Sequence, residues 1–157
     1  MAGFTDLKLG ITVNPGVISG GTRTNVVPAQ ARIEVDIRAV RTKDAAALEK
    51  KFRGLRPIDR RCKLHVEGGL NRPPMERSKS ILSLFAAAKR IAAGLGVSVE
   101  ETLSGGGSDG NFTAALGVPT LDGFGAVGEG AHSAHEHVLI KTMPQRAALL
   151  GAILATS

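Results

Sequence analysis

The sequence predicts an α/β layered fold, and three observations carry that prediction. The stretch ARIEVDIRAV at residues 31–40 alternates apolar and polar side chains, as a strand with one covered face does. Residues 78–94 carry apolar side chains at helical spacing. The second half then alternates strand-like, glycine-rich and helix-like segments, which is the pattern of layered α/β architecture. The hydrophobic fraction of 43% with 22% charged residues is that of a globular chain and not of a disordered one. With no Trp or Tyr and five Phe in 157 residues, Leu, Val, Ile and Ala must supply the packing.

In order along the chain, LKLGITV at 7–13 reads as a strand, followed by a turn at Ser19, Gly20 and Gly21. In the strand at 31–40, Ile33, Val35 and Ile37 share one face against Glu34, Asp36 and Arg38. Thr42 and Asp44 offer N-caps for a helix over about 44–54, with Ala47, Leu48, Lys51 and Phe52 at helical spacing. Leu64 and Val66 predict a short strand that ends at Gly68 and Gly69. Pro73 and Pro74 then make a stiff connector between two halves. Beyond it, Ser78 caps a helix to about residue 94 whose stripe is Ile81, Leu84, Phe85, Ala88 and Ile91. A strand at VSVEE, a glycine loop, a short helix at NFTAALG, a strand at PTLDGF, a glycine-rich loop and a helix from about Pro144 to Ala155 complete the reading.

Composition narrows the function classes. The net charge of +6 raises acidic partners, but the densest basic group, Arg53, Arg56, Arg60, Arg61 and Lys63, lies between periodic segments without an aromatic platform for bases. The sequence therefore predicts a solvated loop there, with neither a nucleic-acid nor a membrane partner. The single Cys62 cannot form an intramolecular disulfide. No apolar leader opens the chain and no run reaches membrane-spanning length, so the expectation is a soluble, cytoplasmic protein as written, with an export signal further upstream left open.

Three segments could carry chemistry. GAHSAHEHV at 130–138 holds three of the four histidines beside Glu136, and imidazole and carboxylate are both zinc ligands. His132 and His135 lack the i, i+4 spacing of a helical HExxH pair, so metal ligands and surface histidines near a strand end both stay open. SGGGSDGNF places glycines, then Ser108 and Asp109, before a short helix, which suits either an anion or a capped turn. ISGGTRTNVVP with DIR puts Asn25 in a loop and Arg38 on the next strand. There the amide and guanidinium could grip a carboxylate or simply face solvent. Arg72 in the connector reads as an exposed charge.

Taken together and in order, GVISGGTRTNVVPAQARIEVDIR, GGLNRPP, GGGSDGNFTAALGVPTLDGFG and GEGAHSAHEHVLIKTMPQRAALL resemble the zinc-dependent carboxypeptidase and aminoacylase family, especially the glutamate (folate-cleaving) carboxypeptidases. The resemblance implies a partial ferredoxin-like lid, or dimerization, domain over residues 1–71, followed by the carboxyl-terminal part of a zinc-exopeptidase α/β catalytic domain over 72–157. It implies that His132 is a zinc ligand and that His135 occupies a variable position. It also implies that Asn25, Arg38, Arg72, Gly106, Gly107 and Ser108 face a small acidic peptide or N-acyl amino acid substrate.

The same resemblance marks what has no counterpart here: a histidine–aspartate pair, a metal-bridging aspartate, the general-base glutamate with its ligand neighbour, and a further acidic ligand. No catalytic residue is therefore assigned in this chain, and zinc is expected only in an intact enzyme, because one histidine cannot supply the usual three protein ligands. Two function classes follow. One is a fragment of a metallohydrolase that cleaves an amide bond beside a free carboxylate, homodimeric through its lid. The other is a non-catalytic interaction module that pairs through an exposed strand edge.

Overall fold

The structure is a computed structural model that describes residues 2–156. Met1 and Ser157, at the outer ends of the two expected domains, lie outside the described residues. The chain divides into two compact units, Met1–Glu76 and Arg77–Ser157. The sequence reading places the junction at residues 71–72, within the same irregular stretch as the division.

The first unit is built on a two-stranded antiparallel ribbon, β1 (Thr12–Gly20) and β2 (Ala31–Arg38). β1 begins later than its apolar alternation predicts. Asp6 accepts hydrogen bonds from the backbone N–H groups of Lys8 and Leu9 (3.0 and 3.2 Å), which holds residues 7–9 in a 3-10 turn, and Gly10 ends that turn at φ 69°. A local side-chain bond has here displaced the strand. The expected turn at Ser19 and Gly20 is instead the end of β1, paired with Arg32 and Ala31. Pro15 cannot donate to the ladder, and at Gly16 the register shifts by a bulge. The bulge matters for patterning, because it brings Ile18 opposite Ile33, where a regular ladder would have continued the face of Val13 and Pro15 through Val17.

β2 begins where the sequence expects it and ends at Arg38, two residues short of the expected 40, but its burial does not follow the expectation. Ile33 and Ile37 remain 43% and 40% exposed, since no further layer covers the ribbon among the described residues. The buried side chains of this unit are Ile11, Leu48 and Phe52. Leu48 and Phe52 lie on the inner face of α1 (Thr42–Arg53), where Phe52 meets Phe4 edge to face at 5.3 Å. Ala47 and Lys51, which the spacing also placed on that face, are exposed.

Neither Thr42 nor Asp44 caps α1. The helix starts after Arg41, which makes no side-chain cap bond, and the Thr42 N–H donates to Glu76 Oε1 at 2.8 Å. A carboxylate 34 positions away thus supplies both the missing acceptor and a negative charge at the helix N-terminus. The hydrogen bond from the Thr42 backbone is the main reason that the Glu76 carboxyl is held below its ordinary value.

In the second unit, α2 (Lys79–Gly94) begins as predicted, with Ser78 Oγ accepting from the Ile81 N–H at 3.2 Å. It packs on α4 (Met143–Ala155), and Ala88, Ala92 and Leu149 are the buried residues of the two helices. Arg77 and Glu101 flank α2 and form a two-point ion pair, Nε–Oε2 at 2.9 Å and Nη2–Oε1 at 2.6 Å. That contact holds the Glu101 carboxyl below its usual range and raises the Arg77 guanidinium.

The short helix α3 (Gly110–Ala115) is where the sequence places it. The expected strands near Leu64, at VSVEE and at PTLDGF are not strands; all three segments are irregular. Alternation describes a side-chain pattern, whereas a strand needs a ladder partner, and none of the three finds one among the described residues. The remaining sheet is a two-residue pairing of β3 (Gly128–Glu129) with β4 (His137–Val138). The structure is therefore mixed α/β, but it does not itself display a ferredoxin-like sheet.

Candidate functional site

The histidine-rich segment is a tight hairpin. β3 and β4 pair Glu129 with His137 and Gly128 with Val138, and the Leu139 N–H donates to the Val127 carbonyl at 2.8 Å. Within the connecting residues 130–136, the Gly130 carbonyl receives both the backbone N–H of Ser133 (2.8 Å) and its hydroxyl (2.6 Å). The Glu136 N–H donates to the Ser133 carbonyl at 3.1 Å, and Glu136 Oε2 accepts from the His132 N–H at 3.3 Å. Gly130 sits at φ 76°, where a Cβ would come within 2.8 Å of the Ser133 hydroxyl and the His135 ring. Only glycine suits that corner.

His132 occupies the left-handed region at φ 65°, the one non-glycine residue to do so among the described residues. Histidine tolerates this region better than most residues, but the conformation still requires support, and the bonds of Ser133 and Glu136 provide it. The three imidazoles then differ in role. Ser133 gives its single hydroxyl proton to Gly130, so at 3.1 Å it can only accept from His135 Nδ1. His137 Nδ1 lies 3.0 Å from the His135 carbonyl and donates to it. The exposed His132 ring makes no hydrogen bond among the described residues, which leaves both its nitrogens to an outside partner. The hairpin is approached through Gly123 and Gly125, whose carbonyls both accept from the Arg146 guanidinium of α4, the Nε–Gly125 distance being 2.9 Å.

The glycine loop before α3 is internally bonded. Ser104 Oγ accepts from the Gly106 N–H (3.1 Å), Asn111 Oδ1 from the Ser108 N–H (3.0 Å), and Ser108 Oγ from the Gly110 N–H (3.1 Å). These bonds hold the loop as a turn before α3, whose N-cap residue is Asp109 without a side-chain cap bond; Gly107 lies exposed. In the first unit, Asn25 stands exposed in the irregular loop between the ribbon strands. An open hollow of about 460 Å³ lies under that loop, lined by residues 19–22 and 26–32, with Arg32 its one charged group. Arg38 is at the other end of β2, paired across the ladder with Thr12, and its Nε donates to Asp36 Oδ2 at 2.9 Å. Arg72 is half-buried in the irregular connector. The structure thus fixes each candidate residue locally, and Asn25 and Arg38 do not share one end of the ribbon.

Sequence reasoning did not single out Gly130 and Ser133, nor assign Glu136 its part in shaping the His132 turn. A glycine followed three residues later by a serine, both within a run of turn-forming residues, is the signal that finds such a corner.

The profile of Peptidase family M20/M25/M40 matches residues 4–156. The chain belongs to this family. It is 30% identical over 150 residues to Carboxypeptidase G2 of Pseudomonas sp. (strain RS-16), a match that covers 90% of this chain and 35% of the relative. It is also 30% identical over 147 residues to the uncharacterized protein YqjE of Bacillus subtilis (strain 168), covering 91% of this chain and 39% of that protein. The chain therefore spans between a third and two fifths of the length of these M20 relatives.

Peptidases of the M20 family are generally zinc-dependent. The donor set here does not make a zinc site by itself. Among the described residues no three His, Cys, Asp or Glu side chains gather as a metal-holding group, and His132 stands apart on its turn as a single available imidazole. A catalytic zinc takes three protein ligands and keeps one open position, so no reaction step through zinc is derived from these residues.

Proposed function

We propose that these 157 residues supply the substrate-gripping positions and one metal ligand of a zinc-dependent hydrolase that cleaves an amide bond beside a free carboxylate, of glutamate-carboxypeptidase or N-acyl amino acid amidohydrolase type. In this reading residues 1–71 are part of a lid through which the enzyme forms a homodimer, and residues 72–157 are the carboxyl-terminal part of the catalytic domain. His132 is the zinc ligand. Asn25, Arg38, Arg72 and the loop Gly106, Gly107 and Ser108 face the substrate, a small acidic peptide or N-acyl amino acid.

The observation that carries the proposal is the supported left-handed turn at His132, with its ring unengaged while the two neighbouring histidines are held by the hairpin. Strained conformations of this kind cluster at functional sites. Membership of the M20 family and the 30% identity to a carboxypeptidase support the substrate class. A planar guanidinium at Arg38, oriented by Asp36, is suited to a carboxylate. By itself the chain is expected to be inactive, because the general base and the other ligands are not among its residues.

The test has two parts. Zinc-dependent release of carboxyl-terminal glutamate by the 157-residue chain alone would contradict the reading. An in-frame upstream sequence encoding the histidine–aspartate and paired-glutamate motifs would support it, and His132→Ala in that longer product should then abolish hydrolysis.

A second reading, a self-associating module without catalysis, is favoured by the open edges of the ribbon, where Val17 and Ile18 are exposed. A strictly monomeric chain in sizing chromatography counts against it.

A further inference from the structure

The charge of this chain is not spread over it. Residues 50–63 hold seven of the 20 lysines and arginines and only one of the 14 acidic residues, a local net charge of +6 equal to that of the whole chain. Everything outside that segment is balanced, thirteen against thirteen. All seven basic side chains are exposed. Part of the cluster has a structural use: Lys50, Lys51 and Arg53 close α1, where cations offset the helix dipole, Arg53 also pairs with Glu49, and Arg61 pairs with Asp59 at 2.6 Å. Arg56, in the turn beyond the helix, donates from Nη1 to the Leu55 carbonyl at 2.9 Å and keeps its charge exposed, while Arg60 and Lys63 make no ion pair among the described residues.

Between them stands Ile58, wholly exposed beside Pro57. At 105% it is the most exposed of the large hydrophobic side chains described, and it stands in the middle of the basic turn. The aromatic residue nearest in sequence, Phe52, is buried against Phe4 and cannot stack on a base, so the chemistry favours an anionic surface with an apolar layer beneath it over a nucleic acid.

We propose that the turn at residues 56–63 docks on an anionic lipid surface, Arg56, Arg60 and Lys63 meeting the headgroups and Ile58 entering the acyl boundary. The proposal departs from the sequence expectation that no membrane is contacted. It concerns a surface contact and not a span; no helix among the described residues is long and apolar enough to cross a membrane.

The experiment is co-sedimentation of the 157-residue chain with vesicles of phosphatidylcholine alone and of phosphatidylcholine with about a third phosphatidylserine. Binding is expected to the anionic vesicles only. Ile58→Ser should weaken it about tenfold, and Arg60→Ala with Lys63→Ala about 25-fold, roughly fivefold for each cation. These side chains are exposed, so circular dichroism should show every variant folded like the parent. No sedimentation, equal binding to both lipids, or unchanged affinity of Ile58→Ser overturns the proposal. Tighter binding to a DNA duplex than to the anionic vesicles overturns it too, and assigns the patch to nucleic acid.

Discussion

The hydroxyl of Ser133 donates to the carbonyl of Gly130 at 2.6 Å, and this contact closes the turn on which His132 is displayed. Because Ser133 also accepts from His135, removal of one oxygen loosens two contacts. Ser133→Ala is expected to cost about 1 kcal/mol. Gly130→Ala should cost about 1–3 kcal/mol, since it combines a positive φ with a clash at His135. Urea unfolding followed with hydrogen exchange at the Leu139 amide measures both; equal protection in parent and Gly130→Ala would show that the corner is not confined.

Arg146 anchors the approach to the same hairpin through the carbonyls of Gly123 and Gly125. Arg146→Lys keeps the charge but cannot span two carbonyls with a planar fork. Faster amide exchange across residues 123–130 is expected, with the helical circular-dichroism signal unchanged. Loss of helix signal would mean instead that Arg146 supports α4.

Leu149 is fully buried between α4 and α2. Leu149→Ala is expected to destabilise the second unit by about 2–5 kcal/mol, the larger values applying if the cavity cannot collapse onto Ala88 and Ala92. The urea midpoint of the helical signal is the readout, and a change below about 0.5 kcal/mol would place the packing elsewhere.

Glu76 makes the stability of α1 depend on pH. Its folded-state carboxyl is held below the ordinary 4.5, so the unfolded chain binds the proton more readily. The stabilisation is complete above about 4.5 and is lost as pH falls through the lower folded value. Thermal midpoints should therefore fall from pH 6 to pH 3, less steeply in Glu76→Gln, which keeps an acceptor but has no charge to lose. Identical slopes in parent and variant would remove Glu76 from the account.

What could be read from sequence depended on the range of the interactions involved. Ser78 as a cap, the stripe from Ile81 to Ile91 and the short helix after Ser108 were legible, because each is decided within about four residues. The cap of α1 was not, since its acceptor is Glu76 and Thr42 offers only a misleading hydroxyl. The start of β1 was misread because Asp6 captures two amides of an otherwise strand-like run.

The candidate site divides in the same way. The order of its motifs was enough to indicate the zinc-dependent carboxypeptidase and aminoacylase resemblance, because family motifs are local strings of residues, and His132 is a candidate through that resemblance. The sequence could not distinguish the three histidines by hydrogen bonding. It also could not show that Asn25 and Arg38 lie toward opposite ends of one ribbon, or that Ile33 and Ile37 would stay half open. Those outcomes belong to tertiary structure, for a physical reason: a hydrogen bond, a ladder partner or a covering layer is fixed by where distant segments meet, whereas periodicity fixes only which side chains face the same way.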